Sequence, residues 1–94
     1  MQDDEIIPFL HKLRHVTFLT RDLGFYDRRL CHRRYCLVCM ALDKYEVAVF
    51  ARRLLRHDKF DTEDKRMGSV IRISHMRLSV WRPHAQNELQ FDCE

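Results

Sequence analysis

One uninterrupted apolar run, residues 35–42, constrains the fold of this chain more than any other feature. The run reads YCLVCMAL and has no polar residue at alternate positions. A strand with one exposed face alternates apolar and polar residues, whereas a strand covered on both faces is apolar throughout. Strands covered on both faces are typical of parallel sheets, so the run predicts a buried strand in a sheet with helices packed on it.

The patterns on either side of this run alternate between helix and strand. Pro8 restricts a first helix to a start near Asp4 and an end near His15, and Val16–Thr20 is rich in β-branched and aromatic residues. The sequence further predicts helical turns within 25–34, and a capping box at 43–46 that starts a helix through 55. An acidic loop is expected at 58–65, strands are expected at 70–73 and 78–81, and the ordered structure is expected to end at Pro83. The sequence therefore predicts an α/β fold with a mostly parallel sheet, helices on its faces and uncovered sheet edges.

Length and composition indicate one ordered domain spanning residues 1–94. A chain of 94 residues has room for one small core, and 46% hydrophobic and 33% charged residues with two Gly and two Pro are not typical of disorder. No apolar run approaches the roughly 18 residues of a membrane span, and the first five residues are acidic where a secretory signal is basic. We therefore expect no membrane partner and a cytoplasmic location.

Arginine is concentrated in the middle of the chain. There are 13 arginines and 4 lysines within a formal net charge of +3, and residues 28–34 carry no acid but four arginines, Arg28, Arg29, Arg33 and Arg34. Guanidinium groups suit bidentate contacts to phosphate, so an anionic partner is one interpretation. A solvated basic stripe is the other, and the modest net charge alone favours it.

The cysteines raise the question of a zinc site, since Cys31, Cys36, Cys39 and Cys93 accompany His32. Cys36 and Cys39 lie within the apolar run, and positions three apart on a strand point to opposite faces. A zinc-binding pair needs a tight turn on which both thiolates converge. We therefore interpret these residues as buried thiols in a reducing compartment.

Acidic residues follow the expected parallel strands at their carboxyl ends, the edge where open α/β sheets bind ligands. Asp22 lies two residues after Thr20, Asp43 lies directly after Leu42, and Asp3 and Asp4 start the first helix. Converging carboxylates favour Mg²⁺ or Mn²⁺. Each acid also has a local structural interpretation, as a helix N-cap or a turn residue, and we interpret Asp43 as structural.

Two segments carry a family resemblance. DDEII at 3–7, followed after one helix by VTFLTRDLGF at 16–25, resembles the PIN-like nucleases, including small prokaryotic members that act as toxins of toxin–antitoxin pairs. The apolar strand, the helix with Leu54 and Leu55, and the closing strands with arginines are similar as well. The most specific part is Thr20-Arg21-Asp22 at a strand end after an acidic residue and a Glu-Ile helix.

The resemblance implies a metal-dependent ribonuclease that hydrolyses RNA phosphodiesters with Mg²⁺ or Mn²⁺. It makes Asp3 and Asp22 the catalytic metal ligands, Asp4 the alternative if the register is off by one, and Asp27 a further ligand. It further implies RNA as substrate and an antitoxin protein as partner. The residues expected to hold the RNA backbone are Arg28, Arg29, Arg33 and Arg34.

One part of the family pattern has no counterpart here. The family begins with a central strand that bears its first catalytic aspartate, and the resemblance covers only the part of the family pattern that follows this strand. The resemblance therefore implies a partial PIN-like domain, and the alternative to a nuclease is an inactive remnant that binds nucleic acid or protein. An incomplete sheet also predicts a homodimer or a partner that pairs with an edge strand.

Overall fold

The computed structural model describes residues 16–83 and 85–92. The strands are β1 (Val16–Thr20), β2 (Tyr35–Met40), β3 (Val70–Ile73), β4 (Arg77–Trp81) and β5 (Leu89–Asp92); the helices are α1 (Val47–Arg56) and the short α2 (Glu63–Arg66). Two 3-10 turns, Leu23–Phe25 and Arg28–Leu30, lie between β1 and β2. The expected helix from Asp4 to His15 lies outside the described residues.

The five strands form one sheet in the order β1-β2-β3-β4-β5. The first three strands are parallel, but β4 and β5 each run antiparallel to the strand before them. The expectation of an α/β domain is confirmed, whereas the expectation of a mostly parallel sheet is wrong because the sheet is mixed. Ile73 pairs with Leu78 across a tight hairpin, which leaves no room for the crossover that a parallel connection needs.

Strand β2 is covered on both faces, as the apolar run predicted. All six of its residues are buried. On one face Cys36, Val38 and Met40 join the larger core cluster with α1, and on the other face Tyr35, Leu37 and Cys39 join a smaller cluster around Phe25. We call these the α1 face and the second face of the sheet.

Helix α1 covers its face with Phe50 and Leu54, which are buried, while Arg52, Arg53 and Arg56 are exposed. The expected capping box at its start is wrong, because Glu46 makes no side-chain cap hydrogen bond. Residues 43–46 instead form a turn in which the Glu46 N–H donates to the Asp43 carbonyl at 2.9 Å.

The second face is covered by the segment between β1 and β2, where the helical turns expected within 25–34 are present as the 3-10 turn Arg28–Leu30. Asp22 caps its first 3-10 turn and Asp27 caps its second. Phe25 is buried between them and contacts Phe18 of β1 edge-on, with ring centroids 6.0 Å apart. The segment therefore carries the chain from the carboxyl end of β1 back to the amino end of β2.

Two expectations for the second half of the chain also need correction. The acidic loop expected at 58–65 includes the start of α2, whose Thr62 side chain accepts from the Lys65 N–H at 3.3 Å. Order does not end at Pro83, because β5 follows it and pairs with β4.

Candidate functional site

The Thr-Arg-Asp segment at the carboxyl end of β1 makes local contacts with all three side chains. The Thr20 hydroxyl accepts from the Asp22 N–H at 3.1 Å, and the Asp22 carboxylate accepts from the Gly24 N–H at 2.9 Å. Arg21 donates to the Leu42 carbonyl at 3.0 Å and so ties the end of β1 to the loop after β2. These contacts stabilise the strand end, and they leave Asp22 exposed.

Asp27 is engaged by its neighbour Arg29. Its carboxylate accepts from the Arg29 N–H at 2.9 Å and from the guanidinium at 2.7 Å. The hydrogen bonds from the Arg29 side chain and backbone lower the pKa of Asp27 below its usual range. The carboxylate is therefore an ion-pair partner and a turn cap in this structure.

The described residues do not by themselves fit Mg²⁺ or Mn²⁺. Within 16–83 and 85–92, no three His, Cys, Asp or Glu side chains lie together as a metal-binding group. Asp3 and Asp4, the ligands expected to join Asp22, lie outside the described residues. The metal-ligand roles of Asp3, Asp4, Asp22 and Asp27 stay predictions.

A concave site lies at the opposite end of the sheet, where the parallel strands begin. It has a volume of about 310 Å³ and is lined by Arg28, Cys31, His32, Arg33 and Pro83. We call it the basic pocket. The length of β2, at about 3.3 Å per residue, separates this end of the sheet from the Asp22 end by roughly 17 Å.

Three elements converge to build the basic pocket. The second 3-10 turn supplies Arg28, the loop before β2 supplies residues 31–33, and the segment after β4 supplies Pro83. The Cys31 thiol donates to the Trp81 carbonyl at 3.4 Å, which joins the loop to β4. The Tyr35 hydroxyl donates to the Leu30 carbonyl at 2.6 Å and holds the turn against β2.

A close backbone approach forms the floor of this region. Gly68 has a φ of 86°, and a Cβ placed there would come within 3.0 Å of the Pro83 Cγ and 4.0 Å of the Arg33 Cα. Its N–H donates to the Tyr35 carbonyl at 2.9 Å. The glycine therefore allows two lining residues of the basic pocket to sit against the α2–β3 connection.

The structure divides the four arginines of 28–34. Arg28 and Arg33 line the basic pocket, whereas Arg29 forms an ion pair with Asp27. In the described part of the chain the ion pairs are Arg29–Asp27, Lys65–Asp61 and His75–Glu46, so neither pocket arginine belongs to one. Arg34 is exposed beside the pocket, and its N–H donates to His32 Nδ1 at 3.2 Å.

Cys31 lines the basic pocket as a half-buried thiol. Burial raises the pKa of this thiol and Asp27 adds to the increase, while a hydrogen bond with the Val70 backbone and the positive charge of Arg82 oppose it. The net effect is a thiol that stays protonated at neutral pH. Cys31 therefore contributes packing and a hydrogen bond to the pocket rather than a thiolate.

Cys36 and Cys39 lie in different core clusters on opposite faces of β2, as the strand register predicted. Burial raises the pKa of each thiol to about 12. The two sulfurs therefore do not converge on one point, and the interpretation as buried thiols is confirmed for this pair. Cys93 lies outside the described residues.

Sequence reasoning identified the arginines but missed two partners. Pro83 completes the basic pocket, and the Arg28 guanidinium lies over the Trp81 ring, 5.7 Å from its centroid. Trp81 and Pro83 lie some fifty residues after these arginines in the sequence. The pairing of β3 with β4 brings them to the basic pocket. A Trp-Arg-Pro sequence at the end of a predicted strand was the available signal.

Comparisons with protein-family models, with curated proteins and with solved structures find no match to this chain. Within the part of the chain that the structure describes, no helix is both long and apolar enough to cross a membrane.

Proposed function

We propose that this chain binds single-stranded RNA through the basic pocket. The observation that carries the proposal is that Arg28 and Arg33 line one concave site while Asp27, the nearest acid of the segment, is held by Arg29. Two guanidinium groups in one site suit the oxygens of a phosphodiester. Among anionic ligands, RNA is the one that the resemblance to PIN-like nucleases favours.

The size of the basic pocket favours a single strand over a duplex. A volume of about 310 Å³ is close to that of a small-ligand site, so it suits one sugar–phosphate unit rather than a helical groove. A single strand can turn one phosphate into such a site because its backbone is flexible. Single-strand binding through a basic surface requires no metal ion.

Metal-dependent cleavage of RNA, with Asp3 and Asp22 as ligands, is the second candidate function. The observation that favours it is the exposed position of Asp22 at the carboxyl end of a parallel strand, where α/β sheets bind ligands. An active site there would lie at the other end of the sheet from the basic pocket. The two candidates therefore predict different binding sites and different metal dependence.

Fluorescence anisotropy with a labelled single-stranded RNA of about ten nucleotides tests the binding proposal. We expect binding that persists in EDTA and weakens with salt, with a log–log slope of about −1.4 for two phosphate contacts. Arg33→Ala is expected to weaken binding about tenfold, or roughly 1.4 kcal/mol. Arg52→Ala is the matched control, because Arg52 is exposed on α1, on the other face of the sheet, and we expect a change within about twofold.

Equal losses in Arg33→Ala and Arg52→Ala would contradict the proposal, because they would show a diffuse charge effect instead of a site. The same RNA incubated with Mn²⁺ tests the second candidate. Cleavage that disappears in Asp22→Asn would establish the nuclease, and intact RNA after long incubation with the unaltered chain would reject it.

A further inference from the structure

We infer that Arg28 and Trp81 form a stacking position for a nucleobase beside the phosphate held in the basic pocket. The inference rests on the proposed function and makes it more specific. It assigns the ligand as a nucleotide unit, with its phosphate between Arg28 and Arg33 and its base on the Arg28 guanidinium. The pocket would thus recognise a polynucleotide rather than any polyanion.

Arg28 is the residue that joins the two parts of this site. Its guanidinium carbon lies 5.7 Å from the centroid of the Trp81 ring, and the same side chain lines the basic pocket. Arg28 is exposed, whereas Trp81 is half-buried and packs against the second-face core. The indole therefore lies within cation–π distance of the guanidinium, and the Arg28 side chain remains exposed to solvent.

A guanidinium fixed in this way is a suitable platform for a base. It is planar, weakly hydrated and able to stack on aromatic groups while its N–H groups bind a phosphate. RNA-binding proteins commonly stack unpaired bases on aromatic rings and on arginine planes. The underlying indole orients the arginine, which reduces the conformational entropy lost when the base binds.

The other aromatic pair near the basic pocket does not offer the same platform. His32 stacks on Tyr35 with ring centroids 5.5 Å apart, but the His32 side chain is half-buried, whereas Arg28 is exposed. The Tyr35 ring is 2% exposed and belongs to the second-face core. Of these two pairs, Arg28 over Trp81 is therefore the one whose outer side chain is both exposed and charged.

Two oligomers of equal length test the inference on the full chain. One is oligouridylate and the other is the same sugar–phosphate backbone without bases, each about ten nucleotides long. We expect the oligomer with bases to bind at least about fivefold more tightly, as one stacked base requires. It should also change the tryptophan emission more at saturation, and the chain has one Trp, so this signal reports Trp81 alone.

Arg28→Lys separates stacking from charge, because lysine keeps the positive charge and lacks the plane. We expect the ratio of the two affinities to fall to about one in this variant. Arg29→Lys is the matched control, and we expect it to keep the ratio of the unaltered chain. Circular dichroism of both variants verifies the fold.

Each remaining outcome overturns a defined part of the account. Equal affinity of the unaltered chain for both oligomers rejects the stacking position and leaves phosphate binding in the basic pocket. A base preference that survives in Arg28→Lys also rejects it. Failure of both oligomers to bind rejects the inference together with the proposed function.

Discussion

At the scale of single residues, Gly68 allows the backbone before β3 to approach Pro83, which lines the basic pocket. Its φ of 86° lies in the left-handed region, and an added Cβ would meet the Pro83 ring at 3.0 Å. The proline ring is closed onto its own backbone, so it cannot rotate aside as a flexible side chain can. Gly68 thus fixes the position of one pocket wall through both conformation and space.

Gly68→Ala is expected to destabilise the protein by about 1–3 kcal/mol, because it adds backbone strain and a contact with Pro83. Gly24→Ala is the matched control, since its Cβ would meet only the side chain of exposed Asp22, 3.0 Å from Oδ1. Urea unfolding of both variants measures the difference. Equal free energies of unfolding for the two variants would contradict this account of Gly68.

The buried thiols of β2 are expected to make the folded protein less stable at alkaline pH. Burial raises the pKa of Cys36 and Cys39 to about 12, whereas a thiol in an unfolded chain ionises near 8.5. A raised pKa contributes stability that is complete below the unfolded value and is lost as pH rises toward the folded value. We therefore expect the free energy of unfolding to fall from about pH 8.5 upward.

Alkylation with iodoacetamide tests the burial of these thiols directly. We expect peptides containing Cys36 and Cys39 to remain unmodified in the folded protein at about pH 8 and to react fully in urea. Mass spectrometry of the peptides separates them from the other cysteines. Rapid modification of either residue without urea would contradict its place in the core.

At the scale of elements, a side-chain hydrogen bond fastens the segment over the second face to the residue before β5. The Tyr26 hydroxyl donates to the Glu88 carboxylate, and the Arg72 guanidinium lies over the Tyr26 ring at 5.2 Å. Burial, reinforced by Glu88, raises the pKa of Tyr26, and the hydrogen bond from Tyr26 lowers that of Glu88. The contact joins positions 62 residues apart in sequence.

Tyr26→Phe removes this hydrogen bond and is expected to cost about 1–2 kcal/mol at neutral pH. Because the pKa of Glu88 is lowered by folding, its contribution is present above the unfolded pKa and is lost as pH falls through the folded pKa. The difference between the variant and the unaltered chain should therefore shrink in acid. Thermal unfolding at about pH 7 and about pH 3 measures it.

Tyr45→Phe is the control for this hydroxyl, because Tyr45 is 80% exposed. We expect its stability to stay within about 0.5 kcal/mol of the unaltered chain. A difference for Tyr26→Phe that is equally large at both pH values would contradict the role of Glu88.

The elements also explain how far the sequence could predict this structure. Strand β2 was predictable because burial on both faces leaves an apolar run, and β1 and β3 have clear β-branched patterns. Strand β5 was missed because LQFD has little strand character of its own, and its structure depends on pairing with β4. Its antiparallel direction, which makes the sheet mixed, is a tertiary property.

The candidate site was predictable only in part, for a similar reason. A run of arginines is visible in sequence, but which of them line the basic pocket depends on local contacts. Asp27 holds Arg29, whereas Arg28 lies over Trp81 and lines one site together with Arg33 and Pro83. These last partners become neighbours only when β4 completes its pairing with β3.

At the scale of the whole molecule, β1 and β5 form the edges of the described sheet. Leu19 on β1 and Leu89 on β5 are each 42% exposed. Exposed apolar edge strands are templates for pairing with another chain. The prediction of a homodimer or an edge-strand partner stays a prediction, and these strands are where it can be tested.

Sedimentation equilibrium measures this association. If an edge strand pairs with a second copy, Leu19→Lys or Leu89→Lys is expected to shift dimer to monomer, because a lysine on an edge opposes pairing. Met76→Lys is the control, since Met76 is 80% exposed in the β3–β4 turn and not on an edge strand. A monomer at every concentration for the unaltered chain would contradict the prediction.

The central claim is that RNA binds at the basic pocket. An NMR titration of the labelled protein with single-stranded RNA tests this claim most directly. We predict that the largest chemical-shift changes fall on the backbone amides of Arg28 and Arg33 and on the indole N–H of Trp81. Changes confined to Asp22 and the loop after β2, or no saturable change anywhere, would contradict the account.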